Sequence, residues 1–192
     1  MSHIANPFVM LLDANVMYPF RTRDVLFTFA QQGLFRARFT DQIIDEWTRS
    51  LIRNKPDLEE SVMEQASAVR EVFQECFVTG YRPLIDGLVL PDPDDRHVLA
   101  AAIKCSAQII VTENRKHFPS EVLEAHDIEV LGADDALANT FDLFPIDCAR
   151  ALRTVRQRYV NPPFSQSEFL LDLTKSGMPK LAAMARSAIE YL

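Results

Sequence analysis

The sequence predicts an α/β fold in which a central, mostly parallel sheet is flanked by helices. Two short segments, an apolar run at residues 8–12 and a segment at 108–112 whose three central residues are apolar, have the composition of strands buried on both faces. The segments between them carry apolar residues at helical spacing, and strands that alternate with helices pair in parallel. With 192 residues, 48% of them apolar, the chain is long enough to fold around its own core without a disulfide or a structural metal.

The first strand ends at Asp13, and the residues from there to Pro19 are predicted to form a loop. Thr40 is predicted to cap a helix with an apolar face, because a Thr hydroxyl can accept a hydrogen bond from the first free amides of a helix. The other elements are predicted in this order: helices at 22–33, 40–51, 57–77 and 98–103, a strand at 108–112, a short helix at 121–125, a strand at 128–131 and a helix from 134. Residues 34–39 are a short segment, and residues 82–95 are a connection.

Pro145 marks a predicted domain boundary. Residues 1–144 are expected to form the α/β domain, and residues 145–192 a helical C-terminal extension without strands. The chain has a net charge of −7, which divides into −10 for the first part and +3 for the extension. Within the extension, Ser165 and Glu168 have the spacing of a capping box at the start of a helix.

Composition excludes several classes of protein. No apolar stretch approaches the length of a membrane-spanning helix, and the apolar run at 8–12 lacks the preceding basic residues of a signal peptide. The three cysteines, Cys76, Cys105 and Cys148, form no C-x-x-C pair, so we expect reduced thiols. The acidic net charge argues against a protein that coats nucleic acid. Together these features predict a cytoplasmic protein with no membrane association.

Acidic side chains occur where open parallel sheets bind ligands, beyond the carboxyl ends of the strands. Asp13 directly follows the first strand, and Thr112 ends the second. Glu46 borders the apolar face of its helix, where a carboxylate is costly to bury without a partner. Acids that meet without basic partners repel one another, and a divalent cation such as Mg²⁺, which prefers oxygen ligands, removes that repulsion.

Each acid also has a structural explanation. Asp13 can cap the loop after its strand, Glu46 can be a solvated helix residue, and an acid of the segment Asp92–Asp95 can cap the following helix. The acids as a set, each at the element end or face where a site would need it, favour a functional role.

Four motifs, in this order along the chain, resemble the PIN domain over about residues 7–140. They are LLDANV at 11–16, IIDE at 43–46, DPDDRHVLAAA at 92–102 and IVTEN at 110–114. Within that superfamily the chain is most similar to the VapC-type ribonuclease toxins of bacterial toxin–antitoxin pairs. The basic helical tail resembles an extension found in one subgroup of them. The resemblance thus refines the expected fold to a PIN-like three-layer arrangement with additional C-terminal helices.

The resemblance implies a metal-dependent endoribonuclease that uses Mg²⁺ or Mn²⁺. Asp13, Glu46 and Asp95 match the metal-binding carboxylates of the family, and Asp92 matches an additional acid of some variants. Asn114 stands where many members have a fourth acid, so it can position a water molecule but adds no charge. One metal ion is therefore expected to bind well and a second one poorly.

The expected mechanism is attack of a metal-activated water on an RNA phosphodiester, with Thr112 and Asn15 hydrogen-bonded to the metal-binding acids. A set of arginines on the predicted helix 146–160 can follow a phosphate backbone, face an acidic partner, or form a solvated face: Arg150, Arg153, Arg156 and Arg158. The resemblance further implies an RNA substrate, a cognate antitoxin and a homodimer.

Two other functions stay open. The fold can serve as a binding module without catalysis, and the asparagine at position 114 is compatible with that function. A Mg²⁺-dependent phosphatase of the haloacid dehalogenase type also begins with an Asp after its first strand. Such an enzyme needs a second acid two residues later, where this chain has Asn15. A P-loop NTPase is excluded, because the chain has no G-x-x-x-x-G-K-[ST] motif.

Overall fold

The structure is a computed structural model that describes residues 8–192, so that residues 1–7 of the predicted first domain lie outside the described residues. Its sheet has four strands, β1 (Val9–Leu12), β2 (Arg36–Arg38), β3 (Ile109–Val111) and β4 (Glu129–Leu131), in the order β2-β1-β3-β4. The central strands β1 and β3 run in parallel, with Leu12 opposite Val111. The predicted buried strands are confirmed, since Leu11, Leu12 and the whole of β3 are buried.

The predicted alternation of strands and helices is confirmed. The helices are α1 (Ala14–Met17), α2 (Phe20–Gln31), α3 (Asp41–Asn54), α4 (Glu59–Val72), α5 (Arg96–Lys104), α6 (Ser120–Leu123), α7 (Ala133–Leu143), α8 (Pro145–Gln157), α9 (Gln166–Lys175) and α10 (Pro179–Ala185). Short 3₁₀ turns occur between several of them, including one at Pro93–Asp95 and one at Arg115–His117.

Contacts group the described chain into two compact units. Residues 8–18 and 37–130 form the first, which we call the sheet unit, and residues 19–36 and 131–192 form the second, which we call the helical unit. The division after residue 144 that the sequence suggested stays a prediction.

Capping residues close in sequence fix where two helices of the sheet unit begin. Thr40 caps α3 by accepting a hydrogen bond from the amide of Ile43 at 3.1 Å, and an apolar stripe that includes Trp47 buries one face of this helix. Asp92 caps the turn before α5 by accepting from the amide of Asp94 at 3.0 Å, which confirms the predicted helix cap in this segment. Helix α5 packs against β1 and β3, and α1 packs against α3.

The helical unit is held by packing of α2, α7, α8, α9 and α10 and by helix caps. The predicted capping box is present, with Ser165 and Glu168 bonded to each other's backbone amides. Asp134 of α7 accepts hydrogen bonds from the amides of Lys180 and Leu181, at 2.9 Å each, and so caps α10. This use of an acid from a neighbouring helix satisfies amides that the first turn of a helix leaves unpaired.

Two elements differ from the sequence prediction. The segment after β1, expected as a loop, forms the short helix α1 because Asp13 caps it through the amide of Ala14. Strand β2 lies within the segment 34–39, for which the sequence predicts no strand, because only Ala37 of its three residues is buried and an arginine stands on each side. In the part of the chain that the structure describes, no helix combines the length and the apolar character needed to cross a membrane.

Candidate functional site

Asp13 lies at the carboxyl end of β1, where its amide donates to the carbonyl of Val111 at 3.1 Å. Its side chain is buried, with 5% of the residue exposed. The carboxylate accepts hydrogen bonds from the amide of Ala14 at 2.6 Å, Nδ2 of Asn15 at 2.6 Å and Oγ1 of Thr112 at 2.7 Å. The hydrogen bonds predicted from Thr112 and Asn15 to an acid of the site are therefore present at Asp13.

The partners of Asp13 are fixed in turn by the loop that follows β3. Nδ2 of Asn15 also donates to Oγ1 of Thr112 at 2.8 Å, and Oδ1 of Asn15 accepts from the amide of Glu113 at 3.0 Å. The amide of Asn114 donates to the same Thr112 hydroxyl at 3.1 Å. Every hydrogen-bond donor described for the Asp13 carboxylate is a neutral group. These bonds orient the carboxylate but bring no positive charge to balance its negative charge.

Glu46 is on α3, with its side chain 31% exposed. Its Oε1 lies 3.1 Å from Nε2 of Gln42, one turn earlier on the same helix, and 3.1 Å from Nε2 of His97. His97 is at the start of α5 and only 5% exposed, so the imidazole holds this carboxylate from inside the protein. The contact fixes the direction in which Glu46 points.

Asp95 immediately precedes α5, and its side chain is 18% exposed. Nδ1 of His117 lies 2.6 Å from Oδ2 of Asp95 and 3.6 Å from Oδ2 of Asp92. Each of the three side chains places one possible ligand atom within 4.8 Å of the others. Asp92, Asp95 and His117 therefore form one group of possible metal ligands, which we call the acid–histidine cluster.

An open cavity of about 480 Å³ brings together most of the residues that the sequence predicts to bind metal or to act in catalysis. Its charged lining consists of Asp13, Glu46 and Asp95, and its polar lining includes Asn15 and Asn114. None of the described residues that line this cavity is a Lys or an Arg. Three carboxylates thus share one space without a basic side chain among them.

The pKa shifts of two acids report this arrangement. Burial raises the pKa of Asp13, and the negative charges of Asp95 and Glu46 raise it further against the opposing effect of its hydrogen bonds. Burial also acts to raise the pKa of Glu46, but hydrogen bonds from His97 and Gln42 and the charges of His97 and Arg49 bring it below its ordinary value. Glu46 is therefore kept ionised, and its charge adds to the effects of burial and of the Asp95 charge, which make the ionised form of Asp13 costly.

The donor set of the cavity fits a hard divalent cation. Mg²⁺ and Mn²⁺ prefer carboxylate and water oxygens, and they are bound by a few acids rather than by a complete protein cage. A bound cation would relieve the repulsion that raises the pKa of Asp13. The openness of the cavity leaves room for water and for a phosphate group at the same place.

The structure places the other predicted residues outside the cavity lining. Thr112 is fully buried behind Asp13, and Asp92 lies beside His117. The four predicted RNA-binding arginines belong to the helical unit. Three of them have partners within that unit, because Arg150 pairs with Asp147 at 3.5 Å, Arg156 donates to the carbonyl of Phe164 at 2.6 Å and Arg158 pairs with Asp24 at 2.6 Å.

Sequence reasoning did not assign His97 and His117 to these acids. The four histidines of the chain share no metal-ligand spacing, so the sequence predicts surface roles or supporting roles for them. The structure shows His97 and His117 as partners of acids at the cavity. His97 stands only two residues after the predicted site residue Asp95, so its place near the site could have been predicted from the sequence. No sequence pattern links His117 to Asp95, which lies 22 positions earlier.

An α/β fold with clustered carboxylates beyond the ends of two parallel strands defines the general class of this protein. The model of the family described as the PIN domain matches residues 9–116, which is more than half of the chain. The chain belongs to the PIN domain family, and this membership bears out the predicted three-layer α/β fold. A second family model, the VapC50 C-terminal domain, matches residues 133–187.

One curated relative supports the same assignment. The protein named "Putative ribonuclease VapC50" of Mycobacterium tuberculosis (strain ATCC 25618 / H37Rv) is 38% identical to this chain over 111 residues. The match covers 58% of this chain and 64% of the relative, so it spans less than two thirds of the relative's length. No solved structure matches the chain.

Proposed function

We propose that this protein is a metal-dependent endoribonuclease and the toxin of a toxin–antitoxin pair. The observation that carries the proposal is the convergence of Asp13, Glu46 and Asp95 on one cavity with no basic side chain in its lining. Three acids that share a space at neutral pH favour a divalent cation, and such a site suits the hydrolysis of a phosphodiester. The name of the curated relative, a ribonuclease, points to RNA as the substrate.

Asp13, Glu46 and Asp95 would hold Mg²⁺ or Mn²⁺, directly or through water, with Asp92 as an additional acid. When bound, the ion lowers the pKa of a water molecule and offsets negative charge on the phosphoryl group. Asn114, which lines the cavity, positions a water molecule but adds no charge, so we propose one well-bound ion.

The residues around these acids fix their geometry. Thr112 and Asn15 orient Asp13, and His97 and Gln42 orient Glu46. We propose that His117 orients Asp95 in the same way through its bond of 2.6 Å. Such outer contacts decide in which direction a carboxylate presents its free oxygen, and they tune how basic that oxygen is.

The proposed partners follow from the family. They are an RNA substrate, a small antitoxin that restrains the nuclease, and a second copy of the chain in a homodimer. Among the arginines of α8, Arg150 and Arg153 are the exposed candidates for contact with RNA or with an acidic partner. Restraint is expected on functional grounds, since an unrestrained ribonuclease damages the RNA of its own cell.

The proposal is tested by incubating a panel of total RNA with the full chain in Mg²⁺, in Mn²⁺ or in excess chelator. Glu46→Gln is compared with Asp45→Asn, which removes a neighbouring acid of the same helix that pairs with Arg70 instead of lining the cavity. Cleavage is expected with either metal, is expected to be lost in chelator and in Glu46→Gln, and is expected to persist in Asp45→Asn.

Cleavage that is unchanged in chelator and in Glu46→Gln would contradict the metal mechanism. RNA binding without any cleavage would favour the alternative, a binding module that keeps the PIN fold without catalysis. The toxin role is tested separately by inducing the chain in a growing bacterial culture. Wild type is expected to slow growth and Glu46→Gln is not.

A further inference from the structure

A second cavity, of about 460 Å³, lies next to the carboxylate cavity. The two cavities share three lining residues, Glu46, Ser50 and Asp95, so each borders the same acids. Their other lining residues differ in chemistry. Arg49 and Arg53 line only the second cavity, whereas Tyr18 lines only the first. A chain that lies across the acids would therefore meet cations on one side and an aromatic ring on the other.

The cationic side is built by the exposed face of α3. Glu46, Arg49 and Arg53 fall at positions i, i+3 and i+7 of this helix, so they follow one another along a single face. The two arginines are one turn apart, which separates their Cβ atoms by about 5–6 Å. Two guanidiniums at this spacing can contact successive phosphates of an extended strand, and Arg is well suited to bind phosphate through two parallel hydrogen bonds.

Arg49 and Arg53 are both exposed, and among residues 8–192 neither lies within ion-pair distance of a carboxylate, although the charge of Arg49 acts on Glu46. Nε of Arg49 donates to the carbonyl of Asp45 at 3.1 Å, which anchors the side chain and leaves its terminal nitrogens for another acceptor. Arg70 from α4 instead pairs with Asp41 and Asp45. Helix α3 therefore presents its two arginines, neither of them in an ion pair with a described residue, to the second cavity.

The other side offers a surface for a base. Tyr18 follows α1 and is half-buried, so part of its ring is available to the cavity. Asn54 and Asn114 add uncharged polar groups to the same lining. An aromatic ring beside amide groups can accept any base by stacking, whereas a phosphate gains nothing from it.

We propose that a single RNA strand crosses the carboxylate site with consecutive phosphates on Arg49 and Arg53 and with a base stacked on Tyr18. This inference rests on the proposed function, because it takes RNA as the molecule that reaches the acids. It assigns a direction across the site, with a backbone side and a base side. It also moves the main phosphate contacts from the arginines of α8 to those of α3.

The two sides are distinguished by the salt dependence of binding. The probe is a labelled, mixed-sequence single-stranded RNA, and its Kd is measured in chelator over a series of salt concentrations, so that the strand stays intact. The double variant Arg49→Gln/Arg53→Gln is expected to raise Kd and to reduce the slope of log Kd against log salt by about 1.4, because a single strand contributes about 0.7 for each neutralised phosphate.

Tyr18→Ala is expected to raise Kd about tenfold without a change in that slope, because stacking releases no counterions. Tyr18→Phe keeps the ring and is expected to bind like the wild type. Asp94→Asn removes an exposed acid from the lining of the second cavity and is expected to lower Kd. The matched control Arg82→Gln/Arg186→Gln removes two exposed arginines elsewhere and is expected to leave the slope unchanged.

The inference is overturned if Arg49→Gln/Arg53→Gln leaves the slope unchanged, or if Arg150→Gln/Arg153→Gln produces the larger change. It is also overturned if Tyr18→Phe loses as much binding as Tyr18→Ala. Cleavage by the wild type in Mg²⁺, measured alongside, separates this inference from the proposed function. Cleavage with unchanged slopes contradicts only the strand path, whereas the expected slopes without cleavage contradict only the nuclease.

Discussion

Asp13 in the sheet unit and Asp24 in the helical unit are both largely buried acids, but they have opposite surroundings. Asp24, with its side chain 14% exposed, accepts from a guanidinium nitrogen of Arg158 at 2.6 Å and from the hydroxyl of Tyr159 at 2.7 Å. Asp13 accepts only from neutral donors and faces the charges of Asp95 and Glu46. The charge of Asp24 is balanced by the protein, and the charge of Asp13 is not.

The same contrast extends to the neighbours of each acid. In the helical unit, Arg21 pairs with Asp172 at 2.5 Å and its guanidinium stacks 3.8 Å from the ring centre of Tyr159. Acids and bases there alternate within one network, and burial and the hydrogen bond to Asp24 raise the pKa of Tyr159. An acid that the protein itself pairs has a structural role, whereas acids that are gathered without a cation leave that place for a ligand.

The largest expected difference between the two acids is in catalysis. Asn in place of Asp13 keeps an acceptor oxygen for the amide of Ala14 but removes the charge that a cation needs. Asp13→Asn is expected to lower RNA cleavage about 10³-fold, a loss of about 4 kcal/mol of transition-state stabilisation. The Asp24→Asn variant is expected to cleave RNA at a rate within about twofold of the wild type, since Asp24 lines neither cavity. Equal losses in the two variants, at matched folded fractions, would contradict the contrast.

The next effect concerns His117, whose Nδ1 lies 2.6 Å from Oδ2 of Asp95 and 3.6 Å from Oδ2 of Asp92. His117→Ala is expected to weaken Mn²⁺ binding about 10- to 100-fold, because Asp95 loses the bond that orients it. His117→Asn is expected to recover part of the affinity, since its amide nitrogen replaces the Nδ1 donor. The control is His126→Ala, at an exposed histidine outside this cluster. Unchanged Mn²⁺ affinity in His117→Ala, measured by calorimetry, would contradict the positioning role.

Stability is expected to respond in the opposite way to activity. Asp24→Asn leaves Arg158 and Tyr159 without their carboxylate acceptor and is expected to lower the free energy of unfolding by about 1–2 kcal/mol. Urea unfolding in chelator measures this loss. Arg158→Gln removes the other partner and should cause a smaller loss, since Arg158 is itself 46% exposed. An Asp24→Asn variant as stable as the wild type would show that the pair does not hold the helical unit.

The smallest expected effect is a pH dependence of the metal-free protein. The pKa of Asp13 is raised in the folded protein above its ordinary value of 3.8, so ionisation costs more in the folded than in the unfolded state. The wild type should therefore lose stability relative to Asp13→Asn as the pH rises above 3.8, until Asp13 is fully ionised in the folded state. Urea unfolding of both proteins in chelator, from acidic to neutral pH, tests this sign. A difference that is independent of pH would contradict the raised pKa.

Much of this architecture could be read from local patterns. The apolar runs that become β1 and β3, the cap at Thr40 and the capping box at Ser165 each depend on residues close together in sequence. The convergence of Asp13 and Thr112 also follows from sequence, because parallel strands end at the same edge of a sheet. These features depend on periodicity, on chain direction and on caps.

The remaining contacts depend on the packing of distant segments. The bonds from His117 to Asp95 and from Arg158 to Asp24 join residues 22 and 134 positions apart, and no spacing encodes them. Strand β2 has too few buried residues to show a pattern. The arginines of α8 had the composition of a nucleic-acid contact, but composition does not show which cations the fold already pairs.

The central claim is that Asp13, Glu46 and Asp95 together form a site for one divalent cation. Calorimetric titration of the chelator-stripped protein with Mn²⁺ tests it most directly, with Glu46→Gln and Asp24→Asn measured in parallel. One saturable site is expected in the wild type and in Asp24→Asn, and its affinity is expected to be at least about tenfold weaker in Glu46→Gln. The absence of saturable binding in the wild type, or equal affinity in all three proteins, would contradict it.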